Sequence, residues 1–204
     1  MSFYREQILP YLIHLAMRQP TVIPYRQRVI AKADGRTLEI GFGSGLNLPF
    51  YTTSATHVIG LEPSPKLLSM AKRATGSGMR SPELLEASAE AIPLDDESID
   101  TVVTTWTLCT IPNVMRALEE MRRVLKPNGR LLFVEHGLSP DAAVRHWQNR
   151  LNPIWKAVAG GCHLNRPIRE LIERSGFHIE QMDTGYGRGP KPMTFMYEGL
   201  ARRS

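Results

Sequence analysis

The run Leu38-Glu39-Ile40-Gly41-Phe42-Gly43-Ser44-Gly45 sets three glycines and a carboxylate at the end of an apolar segment. Glycines there let the chain turn sharply and let a ligand reach the bare backbone. A dinucleotide loop reads G-x-G-x-x-G. Its third glycine would fall at position 46, but Leu46 stands there and the third glycine is Gly45. Glu39, just ahead of the loop, would repel a pyrophosphate. It suits a cationic ligand bearing an amino group and a sulfonium. A second carboxylate, Glu62, follows the first glycines by about 20 residues, where an acid can accept hydrogen bonds from ribose hydroxyls. That spacing also suits a nicotinamide cofactor, so the loop register separates the two ligands and Glu62 does not.

Further candidates lie downstream. His136 sits where a strand should end, and its ordinary pKa near ~6.5 suits proton transfer. The same position also suits a histidine that ties a strand to its loop. His163 is a second candidate, or a loop histidine. Cys109 and Cys162 either touch an acceptor or pack as small hydrophobes. Two cysteines cannot complete a tetrahedral zinc site alone, and Cys162-His163 has no C-x-x-C partner, so no metal is expected. Trp106, Trp147 and Trp155 suit an apolar pocket wall or ordinary core. Arg166 suits an anionic acceptor group or a salt bridge.

These residues need positioning elements. An apolar helix is expected at Ile8–Met17, with Pro10 in its first turn, and a second helix at Tyr25–Ala33. Strands are expected at Thr37–Ile40, His57–Leu61, Glu83–Ala87, Thr101–Thr105 and Arg130–Glu135. Between them come a helix cut short by Pro49, a helix from Pro65 to Arg73 capped by Ser64, and a helix from Val114 to Leu125. Gly76-Ser77-Gly78 reads as a loop. His146–Arg166 reads as loop-rich, followed by a helix at Pro167–Ser175 and strands near Ile179–Met182 and Thr194–Glu198. Such alternation predicts an α/β fold: a doubly wound, mostly parallel, Rossmann-like sheet of seven strands with helices on both faces. The 204 residues fit one domain. Residues 1–36 form a helical lid, 37–136 a cofactor-binding core, and 137–204 acceptor-side loops and the last strands.

Composition narrows the function. Apolar content of 42% and charged content of 22% belong to a globular protein. No apolar run is long enough to span a bilayer, and no secretory signal is visible, so a cytoplasmic location is expected. The net charge of +5 is uneven. Residues 1–36 hold six basic against two acidic side chains, residues 37–140 nine against twelve, and residues 141–204 ten against six. Basic flanks suit a solvated surface, or weak peripheral contact with an anionic membrane. Ile8–Met17 is apolar nearly all round, which favours a lid over a membrane-surface helix.

In order and spacing, the E-x-G-x-G-x-G loop, Leu61-Glu62-Pro63-Ser64, the Pro93–Asp100 turn and Leu125-Lys126-Pro127-Asn128-Gly129 resemble the class I S-adenosylmethionine-dependent methyltransferases over residues 36–136. Thr107-Leu108-Cys109, Glu135-His136, Trp147-Gln148, Pro153-Ile154-Trp155 and Gly161-Cys162-His163-Leu164-Asn165-Arg166 resemble the methyltransferase-like seven branch, the thiol methyltransferases. The resemblance implies S-adenosylmethionine as cofactor, held by Glu39, Gly41, Gly43, Gly45, Asn47, Glu62, Pro63, Ser88, Ala89, Glu90, Thr105 and Trp106. Many relatives have Asp where Ser88 stands. It further implies methyl transfer to a small, fairly apolar acceptor, first of all a thiol, with His136 as catalytic residue. Cys109, Trp147, Trp155, Cys162, His163 and Arg166 would line the acceptor site. N-methylation of a phospholipid headgroup, or methylation of a quinone-like lipid, is the alternative. A nicotinamide-dependent oxidoreductase is opposed by the loop register and the lack of a Tyr-x-x-x-Lys pair. A nucleic-acid acceptor is opposed by the lack of an N-P-P-Y tetrad. A non-catalytic cofactor-binding protein would share these features.

Overall fold

The computed structural model describes residues 3–75 and 81–203. Strands β1 (Gly35–Ile40), β2 (Ala55–Leu61), β3 (Glu83–Leu85), β4 (Ile99–Thr105), β5 (Leu125–His136), β6 (Phe177–Tyr186) and β7 (Phe195–Arg203) form one sheet in the order β3-β2-β1-β4-β5-β7-β6. The first five strands run parallel, and β7 pairs antiparallel with both β5 and β6. This is the mostly parallel seven-stranded sheet that the alternation predicts.

Period-two alternation assigns side chains to the two faces. Val102, Leu131 and Phe133 point into a core with Leu118 and Met121 of helix α4 (Val114–Val124) and Ile168 and Ile172 of helix α6 (Ile168–Arg174). Their neighbours Val103, Leu132 and Val134 point the other way, onto Val29 and Ile30 of helix α2 (Ile23–Ile30). Helices therefore cover both faces, as a buried parallel sheet requires. Ser64 Oγ accepts from Leu67 N at 3.4 Å and starts helix α3 (Pro65–Thr75). Asn113 Oδ1 accepts from Arg116 N at 3.2 Å and starts α4. Each satisfies a donor that its helix leaves free.

Two sequence expectations are corrected. No α-helix follows the glycine loop: only one 3-10 turn forms, Leu48–Phe50, because Pro49 stands at its start and the chain must return at once to β2. His146–Arg166 is not mainly loop. Helix α5 (Ala142–Val158) runs straight through Pro153, started by Asp141 Oδ1 accepting from Ala143 N at 2.9 Å. Gly76-Ser77-Gly78 lies outside the described residues. The apolar segment expected at Ile8–Met17 forms helix α1 (Leu9–Met17), preceded by a π-helical turn, Tyr4–Ile8. Among the described residues no helix is long and apolar enough to cross a membrane.

β1 lies between β2 and β4, and the connections from these strands leave to opposite sides. Ligands of open α/β sheets bind outside the carboxyl ends of strands at such a switch point. The glycine loop, Glu62 and Trp106 all follow strands that end there.

Candidate active site

A cavity of about 650 Å³ opens at that switch point. One end is polar. Glu39, on β1, is 1% exposed and accepts from Asn47 Nδ2 at 2.8 Å and from Tyr51 OH at 2.7 Å. Burial pushes its carboxyl up to about 7, against the pull of those two hydrogen bonds and of the Arg26 charge. Asn47 Nδ2 also donates to Thr105 Oγ1 at 2.9 Å. Glu62 is 6% exposed and accepts from Gly43 N at 3.0 Å and Ser64 N at 2.9 Å, tying the glycine loop to the end of β2. Burial raises this carboxyl too.

The glycines are needed at two points. A Cβ on Gly41 would lie 2.3 Å from Thr107 Oγ1. Gly43 has φ +58°, and a Cβ there would meet nothing nearer than Gly41 O at 3.8 Å. A side chain at 43 would enter the cavity and not the protein.

Buried polar atoms without partners show what this end is built to take. Among the described residues, Asn47 Oδ1 and Arg26 Nε have none. Arg26 is 5% exposed, donates from Nη1 to Met17 O at 3.0 Å, and packs its guanidinium 5.2 Å from the Trp106 ring centre. Leaving such groups unpaired is costly. An acceptor beside a buried carboxylate fits an ammonium, and a free guanidinium donor fits a carboxylate. Both groups belong to an amino acid such as the methionine part of S-adenosylmethionine. Glu62 has further lone pairs that could accept from hydroxyls of a ligand, and Ser88 and Ala89 continue the wall beyond it.

The other end is apolar. Leu9, Leu12 and Ile13 of α1 face Trp155 and Val158 of α5 and Ile111 after β4 across the cavity. Cys109, His136 and Cys162 also line it. His136 Nε2 lies 3.1 Å from Cys162 Sγ. A hydrogen bond with Cys109 and burial hold the Cys162 thiol well above its ordinary pKa. The roof is fastened at three points. His14 Nδ1 lies 2.6 Å from Ser44 Oγ, Tyr4 OH donates to Val158 O at 2.7 Å, and Arg26 holds the end of α1.

The cavity thus gathers most of the residues that the sequence singles out: Glu39, Gly41, Gly43, Asn47, Glu62, Pro63, Ser88, Ala89, Thr105 and Trp106 at one end, and Cys109, His136, Trp155 and Cys162 at the other. It excludes five. Gly45 lies under the loop, against Leu48 and Phe42. Glu90 accepts from Asn113 N at 2.8 Å and braces the start of α4. Trp147 is 52% exposed and packs on His146, because it falls on the outer side of α5. His163 donates its backbone N–H to Cys109 O at 2.8 Å, and burial, with Arg166 and Lys156 nearby, lowers its imidazole to about 4. Arg166 is turned onto the backbone: Nη2 donates to Ile111 O at 2.6 Å and Nη1 to Leu108 O, pinning the loop after β4.

Arg26, His14, Tyr51 and Glu135 are additions. Glu135 is 0% exposed and accepts from Thr107 N at 3.0 Å and Leu108 N at 3.1 Å, so it shapes the loop that carries Cys109. Glu135 belongs to the Glu135-His136 pair of the sequence, which gives it no role of its own, and no local motif marks the other three. They are recruited through contacts between segments far apart in the chain.

Strand order, glycine loop and paired carboxylates define the class I S-adenosylmethionine-dependent methyltransferases, and the chain belongs to that family. Residues 38–133 match the methyltransferase domain model. Within that class the chain is similar to the thiol S-methyltransferases. It is 32% identical to thiol S-methyltransferase TMT1B of Homo sapiens over 166 residues, covering 79% of this chain and 66% of the relative. The Rattus norvegicus protein of the same name is 33% identical over 150 residues, covering 72% and 61%. The chain thus spans somewhat less than two thirds of these relatives' length. In fold it resembles the YcgJ protein of Bacillus subtilis, with a TM-score of 0.68 at 16% identity over 90% of this chain and 98% of that one. It also resembles a possible histamine N-methyltransferase of Thermotoga maritima, with a TM-score of 0.67 at 20% identity over 100% and 99%.

Proposed function

We propose that this protein transfers a methyl group from S-adenosylmethionine to the sulfur of a small, fairly apolar thiol. The observation that carries the reading is the polarity of one continuous cavity. Its inner end offers buried carboxylates and unpaired polar atoms to a zwitterionic, cationic ligand, while its outer end is walled by aliphatic side chains and cysteines. The cofactor supplies an electrophilic methyl group on a sulfonium. Glu39, Asn47 and Arg26 hold the amino-acid part, Glu62 the ribose, and the backbone around Ala89 the adenine. The roof from residues 1–36 excludes water, which strengthens the electrostatics inside. Little acid–base chemistry is needed, because a thiol of pKa near ~8.5 is already a few per cent thiolate at neutral pH. His136 Nε2 is the group placed to take the remaining proton.

The roof carries a second, weaker contact. Phe3, Tyr11 and Leu15 of the N-terminal helices are at least half exposed, next to Arg5 and Arg18. This face is suited to lie against an anionic membrane surface, from which an apolar acceptor could enter.

Calorimetry with S-adenosylmethionine, S-adenosylhomocysteine and NADH, followed by turnover on alkyl and aryl thiols, tests the reading. Binding of the first two and methylation of thiols is expected. Binding of NADH alone overturns it. Methylation of phosphatidylethanolamine but of no thiol would replace the acceptor. His136→Ala should slow turnover and leave cofactor affinity intact. An unchanged rate across about pH 6–9 would make His136 structural.

A further inference from the structure

Three segments that share no local motif bring one donor each to the acceptor end. Cys109 follows β4, His136 ends β5, and Cys162 follows α5. Their ligand atoms all lie within 4.8 Å of one another, and His136 Nε2 is already 3.1 Å from Cys162 Sγ. Both cysteines are free thiols. His136 is 9% exposed, and its Nδ1 has no partner among the described residues. The nearby Arg166 guanidinium is turned onto the carbonyls of Leu108 and Ile111 and leaves the cluster uncapped.

We propose that Cys109, His136 and Cys162 form a three-ligand site for Zn(II), whose fourth position faces the cavity and takes the sulfur of the acceptor. Two thiolates and one imidazole suit zinc, and the dication with two thiolates makes a neutral centre that can be buried. Three protein ligands and one exchangeable position are the arrangement of catalytic zinc. Zn–S and Zn–N bonds of ordinary length place tetrahedral donors about 3.5–3.8 Å apart. The His136–Cys162 pair at 3.1 Å would open slightly and the wider pairs, all within 4.8 Å, would close by up to about 1 Å. Metal uptake sends the two cysteine protons to solvent. Acceptor binding replaces a metal-bound water by the acceptor thiolate, whose proton also goes to solvent, and no electrons are exchanged. With the metal bound, His136 would be a ligand in place of a proton acceptor, and the metal itself would hold the acceptor sulfur deprotonated at neutral pH. This inference rests on the reading of the acceptor as a thiol.

The test uses the reduced full chain, stripped with a chelator and titrated anaerobically with Co(II) as an optical probe. One equivalent should bind with a thiolate-to-cobalt charge-transfer band, and Zn(II) should displace it. Cys109→Ser and Cys162→Ser should each weaken cobalt binding by more than about 100-fold, since even a supporting residue around a metal is worth 10–100-fold. Adding butanethiol should shift the visible cobalt bands of the parent protein. No uptake, uptake without the charge-transfer band, or bands unmoved by the thiol would each overturn the site. The parent titration decides even if a serine variant misfolds. Calorimetry with S-adenosylmethionine on the same stripped sample separates the two readings. Cofactor binding without cobalt uptake removes the metal and leaves methyl transfer standing.

Discussion

Replacing Glu39 by glutamine should make the protein more stable and a poorer binder of its cofactor. Burial lifts this carboxyl from 4.5 to about 7. The folded state therefore holds an extra proton between these values, and the carboxyl's contribution to stability is full below the lower value and lost as pH rises through the upper one. The shift corresponds to about 3 kcal/mol of disfavoured charge at alkaline pH. Glutamine keeps the shape and still accepts from Asn47, but weakens the bond from Tyr51, which returns about 1 kcal/mol. The variant should thus gain about 1–2 kcal/mol near pH 8 and almost nothing near pH 5, where the parent carboxyl is mostly protonated. For a chain of this size that is about 2–4 °C in Tm for each kcal/mol. Glu135 is also pushed to about 7 by burial, but it slopes both curves equally, so the difference between variant and parent isolates Glu39. Thermal melts from about pH 5 to pH 9 give this difference. Calorimetry in two buffers of unlike ionisation enthalpy should show the parent releasing a fraction of a proton on binding S-adenosylmethionine near pH 7, and the variant none. Lower stability at alkaline pH with unchanged affinity would refute the reasoning and make Glu39 an ordinary anchor for Asn47 and Tyr51.

Gly43→Ala should cost about 1–2 kcal/mol of stability, from its left-handed φ alone, yet nearly abolish cofactor binding, because the methyl group projects into the cavity. A melt paired with a titration checks the split, and normal binding would place the ligand elsewhere. Glu62→Ala should weaken cofactor affinity by about 1–3 kcal/mol and loosen the backbone at Gly43 and Ser64, visible as faster hydrogen exchange there. Arg166→Met should destabilise by about 3 kcal/mol, since two buried carbonyls lose a charged donor. Denaturant melts that show no loss would restore Arg166 to the candidates for acceptor binding.

The sheet and the residues at the polar end of the cavity were legible because their signals are local. Glycine register, an acid at a strand end, and apolar runs between turn residues each fit within a few positions of the chain. Helix α5 was hidden by Asn152-Pro153 and Gly160-Gly161, which read as breakers. The structure tolerates Pro153 inside the helix. Trp147 and Trp155 look alike in sequence, but helical rotation sends one to solvent and the other to the cavity. Arg26 and Tyr51 could not be recognised, and Glu135 was visible only as the neighbour of His136, since each acts on a partner that only the folded chain brings near.

Most of the outer wall of the cavity comes from α1, the end of α5 and the segment leading to Leu164. These segments lie outside residues 38–133, which carry the family match and add Cys109 and Ile111 to this end. Among the described residues, the polar bonds from this roof to residues 38–133 include His14 to Ser44 and the His163 N–H to Cys109 O. A lineage can therefore exchange the roof, and with it the shape offered to the acceptor, while the floor proposed to hold the donor stays intact. Choice of acceptor and use of donor become separately heritable properties of one domain. Grafting residues 1–18 and 142–164 onto another member should carry its acceptor preference across and leave its donor affinity untouched.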